Sequence, residues 1–323
     1  MELKILKVHG SKNHFYLIDI DDESQIEWAH FAKWICDPSN EGGVDGILVV
    51  CPSNKADAKM RVFNADGSEA SMCGNGLRCV ARYVCEKLGV ERAKVETMKV
   101  TLNVEKSAPL VGELPTFAVE IAPISFTLSD LPLHYHDQKE IQHEIIDLFS
   151  PTIRFTAVAV PNPHLIGVVN KHYISHSSHQ FLLAEYLNNN GNEFCPDGIN
   201  LSYLYPLDDS TIYVRTFERG VGFTNACGTA MTASALVAKM NSIVTAEEIT
   251  VYNPGGFVRC NVQNIDGEWK LQLVGNATFV STHILEINGR EYALSTDKIT
   301  DENLQYDECM KPLDITKEFE TMI

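Results

Sequence analysis

The sequence predicts an α/β (α+β) protein made of two pseudo-symmetric halves, each a curved mixed sheet or barrel wrapped around one central helix. Three observations predict this class. Strand-like and helix-like stretches alternate along the chain, and twice a cysteine followed by glycine opens an apolar helical stretch, at Cys73 and at Cys227. The second stretch is apolar on nearly every side, which is typical of a helix enclosed by other elements. We therefore expect domains at 1–121 and 122–277.

The elements of the first half follow from turn signals and apolar spacing. Those predicted before its central helix are, in chain order, two strands joined by a turn at 10–13, a helix at 24–36, a turn at 42–46, strands at 47–50 and 60–63, and a turn at 64–67. Apolar residues after Cys73 recur at helical spacing, and Gly89 is a natural helix stop. Strands are expected around 92–122.

The second half repeats this order. Its predicted elements are a strand ending at the turn 160–164, a helix at 178–190, a strand at 212–216, the second central helix, and strands near 249–252, 256–263 and 269–274. The C-terminal segment 278–323 is polar, and we expect it to join the first half as a peripheral extension.

Bulk composition narrows the class of partner. The chain has 323 residues, of which 26 are basic and 43 acidic, giving a net charge of −17. An acidic surface argues against nucleic acid and anionic membranes as partners. The N-terminus lacks an apolar signal core, and no apolar run approaches the roughly 20 residues of a membrane helix. We therefore expect a cytoplasmic protein that binds neither nucleic acid nor membrane.

The nine cysteines predict reduced thiols rather than disulfides or a metal centre. No Cys-x-x-Cys pair occurs, and Cys73, Cys79 and Cys85 would project from different faces of one helix. No metal site is therefore expected. Seven cysteines are interpreted as structural or incidental: Cys36, Cys51, Cys79, Cys85, Cys195, Cys260 and Cys309.

Cys73 and Cys227 differ from the other cysteines because each immediately precedes a predicted helix. A thiol at that position meets unpaired backbone N–H groups and the positive end of the helix dipole, which favour its thiolate form. One such thiol indicates a nucleophile. Two copies indicate a reaction in which one thiol removes a proton and the other supplies one.

Several segments together resemble the diaminopimelate epimerases, which are cofactor-independent amino-acid epimerases and racemases. The matching segments stand in family order and are Phe63–Glu69, Met72–Cys79, Asn162–His164, Glu218–Gly222 and Ala226–Thr229, with looser matches at Gly10–Phe15 and Pro254–Gly256. A single Cys-Gly pair would be weak support, whereas an ordered set of this kind is specific.

The resemblance implies a two-base epimerisation at the Cα of an amino acid, with Cys73 and Cys227 facing each other across the substrate and no cofactor. It implies that LL- and meso-diaminopimelate are interconverted by a homodimer in lysine and cell-wall precursor synthesis. The residues that it assigns to substrate binding are Asn13, Asn64, Gly74, Asn75, Asn162, Asn200, Glu218, Arg219, Gly228 and Thr229. It gives His164, and also Glu218, an auxiliary role beside one thiol.

Four positions depart from the family pattern. His14 stands where Asp is usual, Phe223 replaces Glu, Ala230 replaces Gly, and Asn276 replaces the proline of Gly-Pro-Ala. These departures bear on the identity of the substrate rather than on the type of reaction.

Three alternatives remain open at this point. The first is a racemase of another polar amino acid, such as histidine, on the same fold. The second is a non-catalytic amino-acid-binding relative. The third is a cysteine hydrolase, which needs one nucleophile with a histidine base and leaves the second cysteine helix unexplained.

Overall fold

The computed structural model describes residues 1–40 and 43–311. The chain divides into two compact units. The first comprises Met1–Glu120 together with the segment that begins at Val274, and the second comprises Ile121–Leu273. Residue 42, which opens the turn expected at 42–46, and residues 312–323 of the expected C-terminal segment lie outside the described residues.

The described helices and strands are numbered in chain order. The α-helices α1–α6 are Trp28–Cys36, Gly74–Leu88, Lys171–Ser175, Ser178–Leu187, Gly228–Met240 and Glu302–Met310. Strands β1–β9 are Glu2–Gly10, Asn13–Asp19, Gly46–Cys51, Ala58–Asn64, Glu69–Ala70, Arg92–Glu96, Thr101–Ser107, Thr116–Glu120 and Glu144–Ile145. Strands β10–β19 are Arg154–Ala159, Pro163–Val168, Asn200–Pro206, Thr211–Glu218, Gly222–Thr224, Glu248–Asn253, Gly256–Ile265, Glu268–Asn276, Thr278–Asn288 and Glu291–Ile299. Short 3-10 helices occur at Glu23–Gln25, Pro38–Asn40 and Leu128–Asp130.

The first unit wraps its strands around α2. Strand β1 pairs antiparallel with β2, β2 runs parallel to β3, and β3 pairs antiparallel with β4. Strand β4 pairs antiparallel with β5 and parallel with β6, and β6 and β7 form an antiparallel hairpin. Helix α2 contacts β1 to β4 and β6 to β8, and all of its residues from Gly74 to Arg82 are buried. The C-terminal strand β18 extends this sheet by pairing with β1.

The second unit has the same pairing order around α5. Strand β10 pairs antiparallel with β11, β11 runs parallel to β12, and β12 pairs antiparallel with β13. Strand β13 pairs antiparallel with β14 and parallel with β15, and β15 and β16 form an antiparallel hairpin. Every residue of α5 from Gly228 to Ala238 is buried. The α/β class with a central helix in each half is thereby confirmed.

The two central helices begin and end where the sequence indicates. Cys73 is the N-cap residue of α2, and Gly89 ends that helix in the left-handed conformation at φ 68°. A residue other than glycine is disfavoured at such an angle. Cys227 is the N-cap residue of α5. Both thiols therefore lie at helix N-termini, as predicted.

Two helices differ from the predictions. The helix expected at 24–36 is broken, because the Asp22 carboxylate caps a short 3-10 turn and the Trp28 indole donates to the Glu23 carbonyl before α1 begins. The helix expected at 178–190 ends at Leu187, where the Asn188 side chain accepts from Ile199 N–H and donates to the Ala184 carbonyl.

The C-terminal segment is more than a peripheral extension. It forms two long strands and α6, and Tyr306 of that helix is completely buried.

Among the described helices, none combines the length and the apolar character that crossing a bilayer requires.

Candidate active site

Cys73 lies at the start of α2 in extended conformation, and it is partly buried. Its sulfur accepts the Gly76 backbone N–H at 3.4 Å, and its thiol donates to Asn13 Oδ1 at 3.9 Å. The side chain of Asn75 also donates to Asn13 Oδ1, at 3.3 Å. Three of the residues that the sequence assigned to one site are thus in contact: Asn13, Cys73 and Asn75.

Asp45 fixes the orientation of the Asn13 amide. Its Oδ2 accepts Asn13 Nδ2 at 2.8 Å and the His14 backbone N–H at 2.7 Å. Because the amide nitrogen is held by the carboxylate, the amide oxygen faces Cys73. Asp45 was not among the predicted site residues. The signal that could have found it is its place directly before β3, which lies beside the start of β2 in a parallel pair.

Asn64 ends β4 and is exposed, and its side chain donates to the Ser68 hydroxyl at 3.0 Å within its own turn. Gly74 and Asn75 form the first turn of α2 and are buried. The first N–H groups of a helix have no intrahelical carbonyl, so this turn is suited to an anionic group.

Cys227 begins α5 in the second unit and is buried. Its sulfur lies 3.5 Å from the Thr229 hydroxyl. Burial raises the pKa of the Cys227 thiol well above its usual value, and the nearby Glu218 carboxylate raises it further, against a smaller opposing effect of the Thr229 hydrogen bond. The thiol form of Cys227 is therefore strongly favoured in the free protein.

His164 extends this cluster through Thr229. Its Nε2 lies 3.1 Å from Thr229 Oγ1 and 3.1 Å from Asn162 Oδ1. Complete burial, with a smaller effect of the Arg219 charge, lowers the pKa of His164 to about 3, so the ring is neutral. Since Asn162 Oδ1 can only accept, Nε2 carries the hydrogen, which leaves the Thr229 hydroxyl proton available to the Cys227 sulfur.

Glu218 is the last residue of β13, and Arg219 directly follows the strand. The Thr224 hydroxyl donates to Glu218 Oε1 at 2.5 Å across the β13–β14 hairpin. Asn200 Oδ1 accepts the Arg219 backbone N–H at 2.9 Å, and the Arg219 guanidinium donates to the Asp197 carbonyl at 2.7 Å. The second unit thus gathers one carboxylate, one guanidinium and one buried thiol, with Asn162, His164, Asn200 and Thr229 joined to them by hydrogen bonds or charge. Thr224 is a further residue that the sequence did not indicate.

Sequence comparison identifies the family. The sequence model of diaminopimelate epimerase matches residues 5–108 and 156–280. The chain belongs to the diaminopimelate epimerase family. A diaminopimelate epimerase of Listeria innocua is 46% identical over 315 residues, which cover 94% of this chain and 95% of that protein. A diaminopimelate epimerase of Enterococcus faecalis is 42% identical over 332 residues, covering 97% of this chain and 99% of that protein. Epimerases are isomerases, so these relatives are isomerases by name.

Solved structures share the fold at low sequence identity. A Bacillus anthracis phenazine biosynthesis protein of the PhzF family superposes with a TM-score of 0.63 at 14% identity, covering 89% of this chain and 100% of that chain. A hydroxyproline epimerase from Agrobacterium vitis does so with a TM-score of 0.58 at 13% identity, covering 88% of this chain and 92% of that chain. At these identities the likeness establishes the epimerase-like fold and nothing finer.

Three of the departures from the family pattern lie beside the site residues. The His14 ring lies tilted against the His9 ring, with centroids 4.9 Å apart, and the His14 backbone N–H donates to Asp45. Phe223 packs edge-on against Phe217 on the face of the hairpin opposite Glu218. Asn276 Oδ1 accepts the Ser11 backbone N–H at 2.8 Å in the turn before Asn13.

Proposed function

We propose that this protein interconverts LL- and meso-2,6-diaminopimelate, with Cys73 and Cys227 as the two acid–base groups. The observation that carries the proposal is that each central helix begins directly after a cysteine, in a chain of the diaminopimelate epimerase family. Inversion at Cα requires a proton to leave one face and another proton to enter the opposite face. Two thiols that alternate between thiolate and thiol meet this requirement without a cofactor.

Each turnover balances as a pair of proton transfers. The thiolate of one cysteine takes the Cα proton, and the electron pair of the C–H bond remains on the carbanion, delocalised into the α-carboxylate. The S–H bond of the other cysteine then breaks, and its proton is delivered to Cα. The first cysteine ends as the thiol and the second as the thiolate.

The growing charge on the α-carboxylate needs preorganised donors. Backbone N–H groups of the first turns of α2 and α5, at Gly74–Asn75 and Gly228–Thr229, are suited to this role because helix N-termini favour anions. We assign the distal end of the substrate to the Glu218 carboxylate, the Arg219 fork and the side chains of Asn64, Asn162 and Asn200. A carboxylate and amide oxygens accept from an ammonium, and a guanidinium pairs with a carboxylate.

Exchange of the α-proton with deuterated solvent tests the proposal directly. The purified protein is incubated with LL- and with meso-diaminopimelate in ²H₂O, exchange is followed by ¹H NMR, and the isomers are separated by chiral chromatography. We expect deuterium at Cα and conversion in both directions, unaffected by a carbonyl reagent or a chelator. No exchange with diaminopimelate, together with exchange of another amino acid such as histidine, would refute the substrate assignment.

Binding without exchange distinguishes the non-catalytic alternative. An amino-acid-binding relative predicts calorimetric binding of diaminopimelate with no deuterium incorporation. A cysteine hydrolase predicts loss of activity on substitution of one cysteine only. We further propose that the protein is cytoplasmic and forms a homodimer. Light scattering after size-exclusion chromatography would test the homodimer.

A further inference from the structure

The chain continues beyond the region that the family sequence model matches. That match ends at residue 280. The structure continues through the rest of β18, then β19 and α6 (Glu302–Met310), all within the first unit. Helix α6 returns to contact β18. The question is what this helix does for the unit that carries Cys73.

The first residue of α6, Glu302, is joined to the central helix α2. Glu302 receives both ends of the Arg82 guanidinium, with Arg82 Nη1 2.6 Å from Oε2 and Nη2 2.8 Å from Oε1. Glu302 Oε2 also accepts the Phe279 backbone N–H at 2.9 Å. Arg82 is buried on α2, and its guanidinium lies 3.8 Å from the centre of the Phe279 ring. A bidentate pair on a buried arginine fixes orientation as well as distance.

Its next turn reaches the hairpin turn between β1 and β2. The Tyr306 ring meets the His9 ring edge-on at 4.8 Å, and both side chains are completely buried. One residue further, Asp307 pairs with Lys12 at 3.1 Å. His9 Nδ1 in turn accepts the Lys12 backbone N–H at 3.3 Å.

That turn is held in an uncommon conformation. Ser11 and Lys12 have φ angles of 54° and 63°, which residues other than glycine rarely adopt. The Arg78 guanidinium donates to the Ser11 hydroxyl at 3.0 Å. A conformation of this kind persists only where its surroundings enforce it. The next residue in the chain is Asn13, whose amide oxygen contacts the Cys73 thiol.

We propose that α6 is a positioning helix for the active site: through Glu302, Tyr306 and Asp307 it fixes the 9–12 turn and α2, and so holds Asn13 against Cys73. All three are positioning residues, which act on Asn13 through the 9–12 turn and α2. The inference rests on the proposed function for its kinetic consequences, whereas its geometric consequence concerns Cys73 alone.

The test compares the two catalytic thiols of the full chain. Glu302→Gln and Tyr306→Leu are made in a Cys227→Ser background, and alkylation of Cys73 by iodoacetamide is followed by peptide mass spectrometry across pH 6–10. The same substitutions are made in a Cys73→Ser background to follow Cys227. Asp297→Asn is the matched control, because its pair with Lys4 is exposed and lies on β19 of the same extension.

We expect Glu302→Gln and Tyr306→Leu to change the alkylation rate of Cys73 at least about fivefold and to leave Cys227 within about twofold. In the otherwise unchanged protein, kcat/KM for α-proton exchange should fall about tenfold, and Asp297→Asn should match the parent protein. Equal changes at both cysteines would indicate general destabilisation and overturn the inference, as would no change at Cys73. If the parent protein exchanges no diaminopimelate proton, the proposed function fails, while the alkylation comparison still decides the role of α6.

Discussion

The N-termini of α2 and α5 occupy the same position in two units of identical strand pairing, yet they surround their thiols differently. Cys73 is partly buried and contacts the Asn13 amide oxygen and the Gly76 N–H. Cys227 is buried beside the Glu218 carboxylate and contacts the Thr229 hydroxyl. The repeated backbone supplies the same helix dipole twice. The side chains around it make the two thiols unequal.

The magnitudes show which effect dominates at Cys227. A helix N-terminus favours an anion by about 0.3–1 kcal/mol. Each pKa unit corresponds to about 1.4 kcal/mol. Since the pKa of Cys227 is raised well above its usual value, burial and the carboxylate outweigh the dipole. In the proposed mechanism, the thiol form of Cys227 is the one that supplies a proton, which assigns the removal of the proton to Cys73.

Removing either thiol should abolish most of the epimerase activity. Cys73→Ser and Cys227→Ser should each lower kcat for epimerisation by about 10³-fold or more, because positioned acid–base groups typically contribute about 10²–10⁴-fold and a serine hydroxyl is a far weaker acid. Chiral chromatography of LL- and meso-diaminopimelate measures this loss. Circular dichroism establishes that the variants are folded.

A cysteine outside the proposed site serves as the control for these two variants. Cys85 is a suitable control, since it is buried near the C-terminal end of α2, about 18 Å along the helix from Cys73, and Cys85→Ser should retain most of the activity. Substantial epimerisation by either catalytic variant would mean that its thiol is not one of the two acid–base groups.

Removing the Glu218 charge should make the two thiols more alike. Glu218→Gln eliminates a negative charge that disfavours the Cys227 thiolate, so the pKa of Cys227 should fall. In a Cys73→Ser background, the pH at half-maximal alkylation of Cys227 should move to a lower value. The rate of alkylation at pH 8 should rise.

The matched control is Glu69→Gln in the first unit, whose carboxylate pairs with Arg61. It should leave the alkylation profile of Cys227 unchanged. If the pKa of Cys227 rises in Glu218→Gln, the carboxylate favours the thiolate, because it accepts the proton that the Cys227 thiol releases, and does not oppose the thiolate by charge.

Asp45 is the carboxylate that orients Asn13 in the first unit. We expect its removal to lower catalysis less than the removal of either thiol. Asp45→Asn replaces an acceptor of Asn13 Nδ2 with a group that can present either end of its amide. The Asn13 amide should then sample both orientations, so we expect kcat/KM to fall about tenfold with the melting temperature nearly unchanged. Steady-state exchange kinetics measure the fall, and Asp22→Asn, which alters only an exposed cap, is the control. Full activity of Asp45→Asn would mean that the orientation of Asn13 does not depend on this carboxylate.

Local chemistry explains which features could be predicted from the sequence. The start of α2 after Cys73 and its stop at Gly89 follow from rules that act within one helical turn. The Asp45–Asn13 contact depends on the parallel pairing of β2 and β3, which no local pattern specifies. Likewise, Glu302 and Tyr306 lie in a polar stretch and acquire their roles only when α6 reaches Arg82 and His9. Sequence patterns therefore locate the two proposed acid–base thiols more readily than the residues that hold their partners in place.

The smallest effects on catalysis are expected at the third residue after each cysteine. Substitution there should change the stability of the protein and leave the chemistry nearly unchanged. Gly76 and Ala230 occupy corresponding positions, and both are buried. A Cβ at Gly76 would lie 2.6 Å from Leu48 Cδ2, which must move aside, and 3.6 Å from the Cys73 sulfur. We expect Gly76→Ala to destabilise the protein by about 1 kcal/mol, because overpacking exceeds the gain in helix propensity.

Ala230→Gly should lower the free energy of unfolding by about 1–2 kcal/mol, because helix propensity and a buried methyl group are lost. Urea unfolding measures both changes. Since neither substitution removes a group that contacts substrate in the proposed mechanism, kcat should change less than about threefold. A stabilised Gly76→Ala variant would show that β3 can accommodate the methyl, and that glycine there does not serve close packing.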